Sequence, residues 1–306
     1  MRRSLPALFV AVLLTGAAAA AAEVKLELKY TPGTTSTTQT ESTTKQVLTL
    51  AGMDIETDVS QFLISTSTNG KRNADGTLAV IDKIDKLQSN LSLPGGIKLT
   101  FDSGDPDKKA DNALLEPLLD VFRVMVKSQT TTLLDKDNRI QSIEFSDNPA
   151  DKVGDDYKSQ FDPEKRKKSA ESERNILSDK PVKPGDVWTH TSESDLGGGQ
   201  ILTLETRYEY LGTVEKSGKT FDKISTKSTT VVYAMDPNSN SPLKIKSSEL
   251  KIASSAGTIL FDRDKGAIVE SISKLKIEGD LKTEINGMEL PAKLSLTIES
   301  KSSLQP

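Results

Sequence analysis

Asp262-Arg263-Asp264-Lys265-Gly266 has the spacing with which a calcium loop begins, carboxylates at alternate positions ahead of a glycine turn. An EF-type loop needs further oxygen donors and a bidentate glutamate at its twelfth position. Here the fifth position is Gly266 and the twelfth is Ser273, so these residues read as a hairpin turn. Asp135-Lys136-Asp137-Asn138 reads the same way. Asp102, Asp105 and Asp107 around Gly104 form an acidic loop that would hold an exposed cation only weakly. Gly197-Gly198-Gly199 is followed by Gln200 and a β-type run, not by the Gly-Lys-Ser/Thr and helix of a phosphate loop, and is read as a turn. His190, the one histidine, alternates with Trp188 and Ser192. A general base needs a nucleophile or an orienting acid around it, and His190 is read as a strand residue instead. With no cysteine and one histidine, thiolate zinc, iron–sulfur and multi-histidine sites are excluded. No catalytic residue, metal or cofactor is expected.

One apolar feature can act as a binding element. Leu114, Leu115, Leu118, Leu119, Phe122, Met125 and Val126 recur at helical spacing within 110–127, with Pro117 suited to a first turn. The helix can pack on a sheet as core. It can equally be a lid over an apolar ligand pocket lined by Leu114, Leu115, Leu118, Leu119, Phe122 and Met125. The Ser/Thr runs at 34–44 and 225–230 could present hydroxyls to a glycan, but fit the polar face of strands more simply.

The elements that must position these residues are mostly strands. Val24, Leu26, Leu28 and Tyr30 alternate with charged residues, as do Met53, Ile55, Thr57 and Val59, after which Phe62 falls out of phase as at a β-bulge. Tyr208 and Tyr210, Leu250 and Ile252, Leu275 and Ile277, and Leu294, Leu296 and Ile298 continue the pattern. Asn69-Gly70, Asp75-Gly76, Pro94-Gly95-Gly96, Lys216 to Lys219 and Asn286-Gly287 carry turn chemistry. Antiparallel sheet with one wet face follows. The segment 162–177 is charged and helix-prone, with almost no apolar face until Ile176 and Leu177.

Apolar residues make up 35 % of the 306 and fewer once the apolar start is set aside, low against the usual ~45–50 %, a figure that also counts glycine, so a thin, spread core is expected. Residues 1–22 combine Arg2 and Arg3, an apolar run at 5–14 and an alanine tail, the pattern of a signal peptide cleaved near Ala22. The run is too short to span a membrane, which needs ~20 apolar residues. Losing the two arginines would take the formal charge from −4 to −6. That balance argues against nucleic acid and against an anionic membrane surface as partners, and no stable membrane anchor is expected.

The chain also repeats its punctuation. Pro32-Gly33 opens a first half and Pro184-Gly185 a second; an Asp-rich turn at Asp135 comes near the end of the first, and the second carries its like at Asp262. The first copy is longer by about the segment 103–127, which carries the apolar helix. The signal-like start, Lys29-Tyr30 through Pro32-Gly33, the stretch Lys180 to Trp188 and the Phe261-Asp262 to Gly266 turn together resemble an exported bacterial family of unknown function, numbered 6263 among such domains. That resemblance covers most of the chain after residue 22 and implies no activity. The expected architecture is similar to the unclosed half-barrels of periplasmic lipoprotein carriers. The fold class is therefore a β-rich α+β arrangement of two related antiparallel curved sheets with one packing helix. The expected organisation is a signal at 1–22, a first β unit at 23–150 with a helix inserted at 110–127, a charged linker at 151–180 and a second unit at 181–306. The functional expectation is a non-enzymatic, exported binding or scaffolding protein, periplasmic or extracellular, whose partner is an envelope protein or an apolar small molecule. The alternatives are a lipid carrier and a carboxylate-based hydrolase, the latter short of aromatic sugar platforms.

Overall fold

The computed structural model describes residues 22–197, 199–236, 243–285 and 287–305. The segment read as a signal lies outside them apart from Ala22. Alternating uncharged and charged residues fold as twelve strands: β1 (Thr35–Leu50), β2 (Met53–Arg72), β3 (Leu78–Leu93), β4 (Ile97–Asp102), β5 (Gln129–Leu134), β6 (Ile140–Phe145), β7 (Val187–Gly197), β8 (Gln200–Lys216), β9 (Lys219–Met235), β10 (Leu243–Asp262), β11 (Ala267–Ile285) and β12 (Met288–Leu304). They form one antiparallel sheet in the order β6-β5-β3-β2-β1-β12-β11-β10-β9-β8-β7, with β4 paired to the far end of β3. The β-rich α+β class is as expected, and the strands of both halves join in a single sheet through β1 and β12.

Two helices pack on one face of this sheet. Helix α1 (Glu116–Lys127) begins beside Pro117, after a turn in which Asn112 Oδ1 accepts from Leu114 N at 3.0 Å. Helix α2 (Pro163–Arg174) starts at Asp162, whose carboxylate accepts from Glu164 N and Lys165 N, a capping contact of the kind that stabilises a helix by ~1 kcal/mol. This is the charged segment expected as a linker. It lacks an apolar stripe and is held by polar contacts to both edges of the sheet. Lys167 Nζ donates to Gln141 O of β6 at 3.0 Å, while Lys168 pairs with Glu193 and Ser172 Oγ meets His190 Nε2 at 3.0 Å on β7. One helix touching both ends of an eleven-strand path requires the sheet to curl into an unclosed barrel.

Three local readings change. Residues 24–30 are not a strand: only Val24 bridges, exchanging N–H and carbonyl with Val182 at 2.8 Å, and Lys29 N donates to Gly266 O. The alternation there reflects a strap that buries Leu26 against Leu177, Val182 and Tyr208 and packs Tyr30 against Leu78 and Leu134 of the other half. Gly266 has φ 60° and lies so close to Lys29 that a side chain there would collide with it. Phe62 keeps its register with Glu41 and Gln88; the bulge lies between Ile64 and Ser65 in the pairing with β3. Asn69-Gly70 sits within β2, because Asn69 spends its N–H on Thr34 O and its carbonyl on Gly33 N, and the chain turns at Asp75-Gly76 instead. The two aspartate turns are hairpins as read: Asp135 accepts from Asp137 N and Arg139 N, and Asp262 from Asp264 N and Lys265 N.

Candidate functional site: the inner face of the curled sheet

Cross-strand register fixes which residues share the face that carries the helices. On β1 these are Thr40, Ser42, Thr44, Gln46, Leu48 and Leu50; on β2, Ile55, Thr57, Val59, Gln61 and Leu63; on β12, Ala292, Leu294, Leu296, Ile298, Ser300 and Ser302. The opposite face of β12 carries Lys293, Glu299 and Lys301, and that of β11 carries Lys274, Lys276, Glu278, Asp280 and Lys282. These outer charges pair along the surface, as Lys274 with Glu299 at 2.5 Å and Lys246 with Glu284 at 2.8 Å. Across these strands the inner face is therefore neutral and the outer face charged.

The inner face is graded along the strands. Toward the β1–β2 and β11–β12 turns it is apolar. Leu48, Ile277, Leu281, Leu294 and Leu296 are buried there, while Leu50, Ile55, Leu204, Leu250, Ile252 and Ile298 pack against them and remain half-exposed. At that rim Met53 is 68 % exposed and Met288 64 %. Next comes an uncharged polar row that register makes continuous across five strands: Ser89, Gln61, Ser42, Ser300 and Ser273. Gln61 Nε2 lies 3.5 Å from Ser89 Oγ, and Thr40 Oγ1 meets Ser302 Oγ one step below at 3.0 Å. The far end is closed by the strap, with Tyr208, Ile224 and Phe261 beneath it.

Ionised side chains reach this face only near the closed end, among the described residues. Asp222 on β9 is 2 % exposed; Arg263 grips it through Nε and Nη2 at 2.7 Å each, and Tyr210 donates to it at 2.6 Å. Burial and the neighbouring carboxylate push the Tyr210 hydroxyl up to about 12. Asp82 on β3 has its pKa raised by burial, against the opposing pull of a hydrogen bond from Ser67 and of Arg166 and Arg174 from α2. Arg174 also lies over the Tyr30 ring, 4.7 Å from its centroid. His190 faces α2 across the sheet edge.

Helix α1 occupies the same face over β3 and β4. Leu119 is 1 % exposed, and Leu115, Leu118 and Phe122 pack with it against Leu87, Leu99 and Phe101; Phe101 and Phe122 are 5.4 Å apart. Met125 turns the other way, toward Val121, Val124, Val153 and Phe161. Leu114 is 85 % exposed and belongs to neither group. Three of the helix's charges meet each other and the preceding loop: Arg123 binds Glu116, Asp120 and Pro106 O, and Glu116 accepts from Ala110 N. Those contacts hold the Glu116 carboxyl down at about 2, the backbone N–H of Ala110 first among them. Sequence periodicity found the helix but not the polar row. The signal was present: along 292–302 one parity carries Lys293, Glu299 and Lys301 and the other carries no charge.

Two clefts lie elsewhere. One of about 390 Å³ separates the strap from the β5–β6 turn, between Leu28, Tyr30, Asn138 and Arg174. The other, of about 300 Å³, lies beside the β3–β4 turn and is lined by Asp54, Glu56, Asp58 and Gly96.

No family model matches the chain, and no curated protein matches it. Among solved structures it is similar to lipovitellin, described for its lipid–protein interactions, at 11 % identity and a TM-score of 0.45. That match takes in 91 % of this chain and 26 % of lipovitellin, so the chain spans about a quarter of that protein's length. An outer-membrane channel from Pseudomonas putida F1 matches at 10 % identity, TM-score 0.25, over 92 % of this chain and 98 % of the channel. An exported protein of YmcC-like fold from Bacteroides fragilis matches at 9 % identity, TM-score 0.20, over 89 % and 98 % of the two chains. At these values no function passes from those proteins to this one.

Proposed function

We propose that this is an exported, non-enzymatic binding protein of the cell envelope that carries an apolar ligand inside its curled sheet. The observation that supports this is the half-exposed apolar lining. In a filled core Leu50, Ile55, Leu250, Ile252 and Ile298 would be buried by facing side chains; here they border a face whose other apolar patch, under α1, is separate from theirs. Sheet width gives the reason. Eight strands close to an interior that side chains just fill, whereas wider barrels leave room for ligands or channels. An eleven-strand path exceeds that limit, and α1, α2 and the strap cover it only in part. The charged outer face is the reverse of what a membrane-spanning barrel presents to lipid, so apolar matter belongs inside this sheet rather than around it. Leu118 and Phe122 of helix α1 and Leu115 just before it, all half-buried, border the cavity in this reading, while Leu119 is core.

Native mass spectrometry of the purified protein, with organic extraction of the same sample, tests the proposal. A bound apolar molecule near one per chain is expected, released by Ile252→Asp with the strand content unchanged in circular dichroism. A clean apo mass and no uptake of a fluorescent alkyl probe would overturn it.

A further inference from the structure

We infer that the ligand is an amphiphile with an uncharged, hydrogen-bonding head, and that the head seats on Gln61, Ser42, Ser300 and Ser273, the part of the row that stays accessible beyond the buried Ser89, while the tail lies on the apolar lining toward the rim. The inference rests on the apolar-ligand reading and narrows it to a chemical class. Three observations carry it. First, the row is continuous: each residue is the direct cross-strand partner of the next, so hydroxyl and amide groups stand side by side across five strands at one level of the cavity. Side chains opposite one another across a ladder lie about 5 Å apart, close enough for one polar head to meet several. Second, the row borders the apolar lining: Leu48, Leu294 and Leu296 lie on its rim side, while Thr40 and Ser302 continue the uncharged polar surface one step toward the closed end, so a polar head finds its partners directly beside the site for its tail. Third, among the described residues no ionised group shares that level. Asp222 is already held by Arg263 and Tyr210, Asp82 lies beside Arg166 and Arg174 at the α2 end, and Glu116, Asp120 and Arg123 of α1 are engaged with each other and with the loop before it.

Moving a charge off water into such a site is costly unless a counter-charge or several hydrogen bonds receive it. A phosphate or carboxylate head at this level would find hydroxyls and amides but no cation. A hydroxyl, ester or amide head exchanges water for those same groups at little cost.

The test compares ligands with one tail and different heads. Binding of 1-monomyristoylglycerol and of myristate to the purified protein is measured by titration calorimetry at pH 8, where the carboxylate is ionised. The neutral lipid is expected to bind at least about tenfold more tightly. Ser42→Arg, at the centre of the row, should cut that preference by about tenfold or more by giving the carboxylate a partner. Gln61→Leu with Ser300→Ala, close in shape, should weaken the neutral lipid and leave myristate unchanged, and decides the matter even where Ser42→Arg fails to fold. Equal binding of the two lipids, or a preference that no row variant moves, would overturn the head assignment while the apolar-ligand reading stands. Binding of neither lipid would overturn both.

Discussion

In the first half of the sheet Gly33 N–H donates to Asn69 O and Asn69 N–H returns to Thr34 O; in the second half Gly185 and Tyr210 repeat the exchange, with Asp186 O as the acceptor, at 2.8 and 3.0 Å. Each Pro-Gly turn thus clips the first strand of its half to the second. Each half also turns an inner-facing aspartate toward the closed end on its third strand, Asp82 on β3 and Asp222 on β9. There the likeness stops. Asp222 is satisfied by its own half, through Arg263 of the β10–β11 turn and Tyr210 of β8. Asp82 is served by Ser67 of its own half, and its cationic neighbours Arg166 and Arg174 come from α2, the helix between the halves. The aspartate of the second half is therefore satisfied from within that half, whereas that of the first has its cations from α2.

The largest way to break this comparison is Arg263→Met. It leaves Asp222 buried without its cation, and loss of about 3–5 kcal/mol of unfolding free energy is expected in urea denaturation. Leu119→Ala tests the first half's dependence on α1; emptying that 1 %-exposed site should cost about 2–5 kcal/mol and raise amide exchange in β4. Asp82→Asn acts in the opposite sense. A carboxyl whose pKa is raised in the fold binds more protons folded than unfolded, so its contribution is favourable at low pH and declines as pH rises above the ordinary value of 3.8. The variant should lose no stability at pH 7 and should remove that part of the decline in thermal scans between pH 3 and pH 7. A marked loss at pH 7 would show Asp82 to be as tightly paired as Asp222. The smallest effect belongs to Leu114→Ala, within about 0.5 kcal/mol, because the side chain is in water already.

Much of this was legible in the chain. Alternation at 294–298 and at 53–59 placed strands, Pro117 placed the start of α1, and the aspartate turns at 135 and 262 were hairpins. The strap at 24–30 was misread because burial of every second side chain has the same period whether or not the backbone is laddered. Asn69-Gly70 was misread because its turn chemistry was overridden by the clip from Gly33 and Thr34. Among the helix residues, Leu115, Leu118, Leu119 and Phe122 share a packed face, but Leu114 and Met125 point away from it, a difference of orientation that composition does not encode.

The sequence by itself determined that one parity of β1, β11 and β12 is charged and the other is not, since that alternation is local and covalent. It also determined that no thiolate or multi-histidine chemistry is possible. The tertiary structure alone decided that all the neutral parities meet on one inner face. It likewise decided that Ser89, Gln61, Ser42, Ser300 and Ser273 fall at one level, and that a charged helix spans the sheet's edges. Those outcomes depend on register between residues as far apart in the chain as Thr38 and Leu304. Register is set by pairwise hydrogen bonding and burial across the whole sheet, and no local window of the chain contains it.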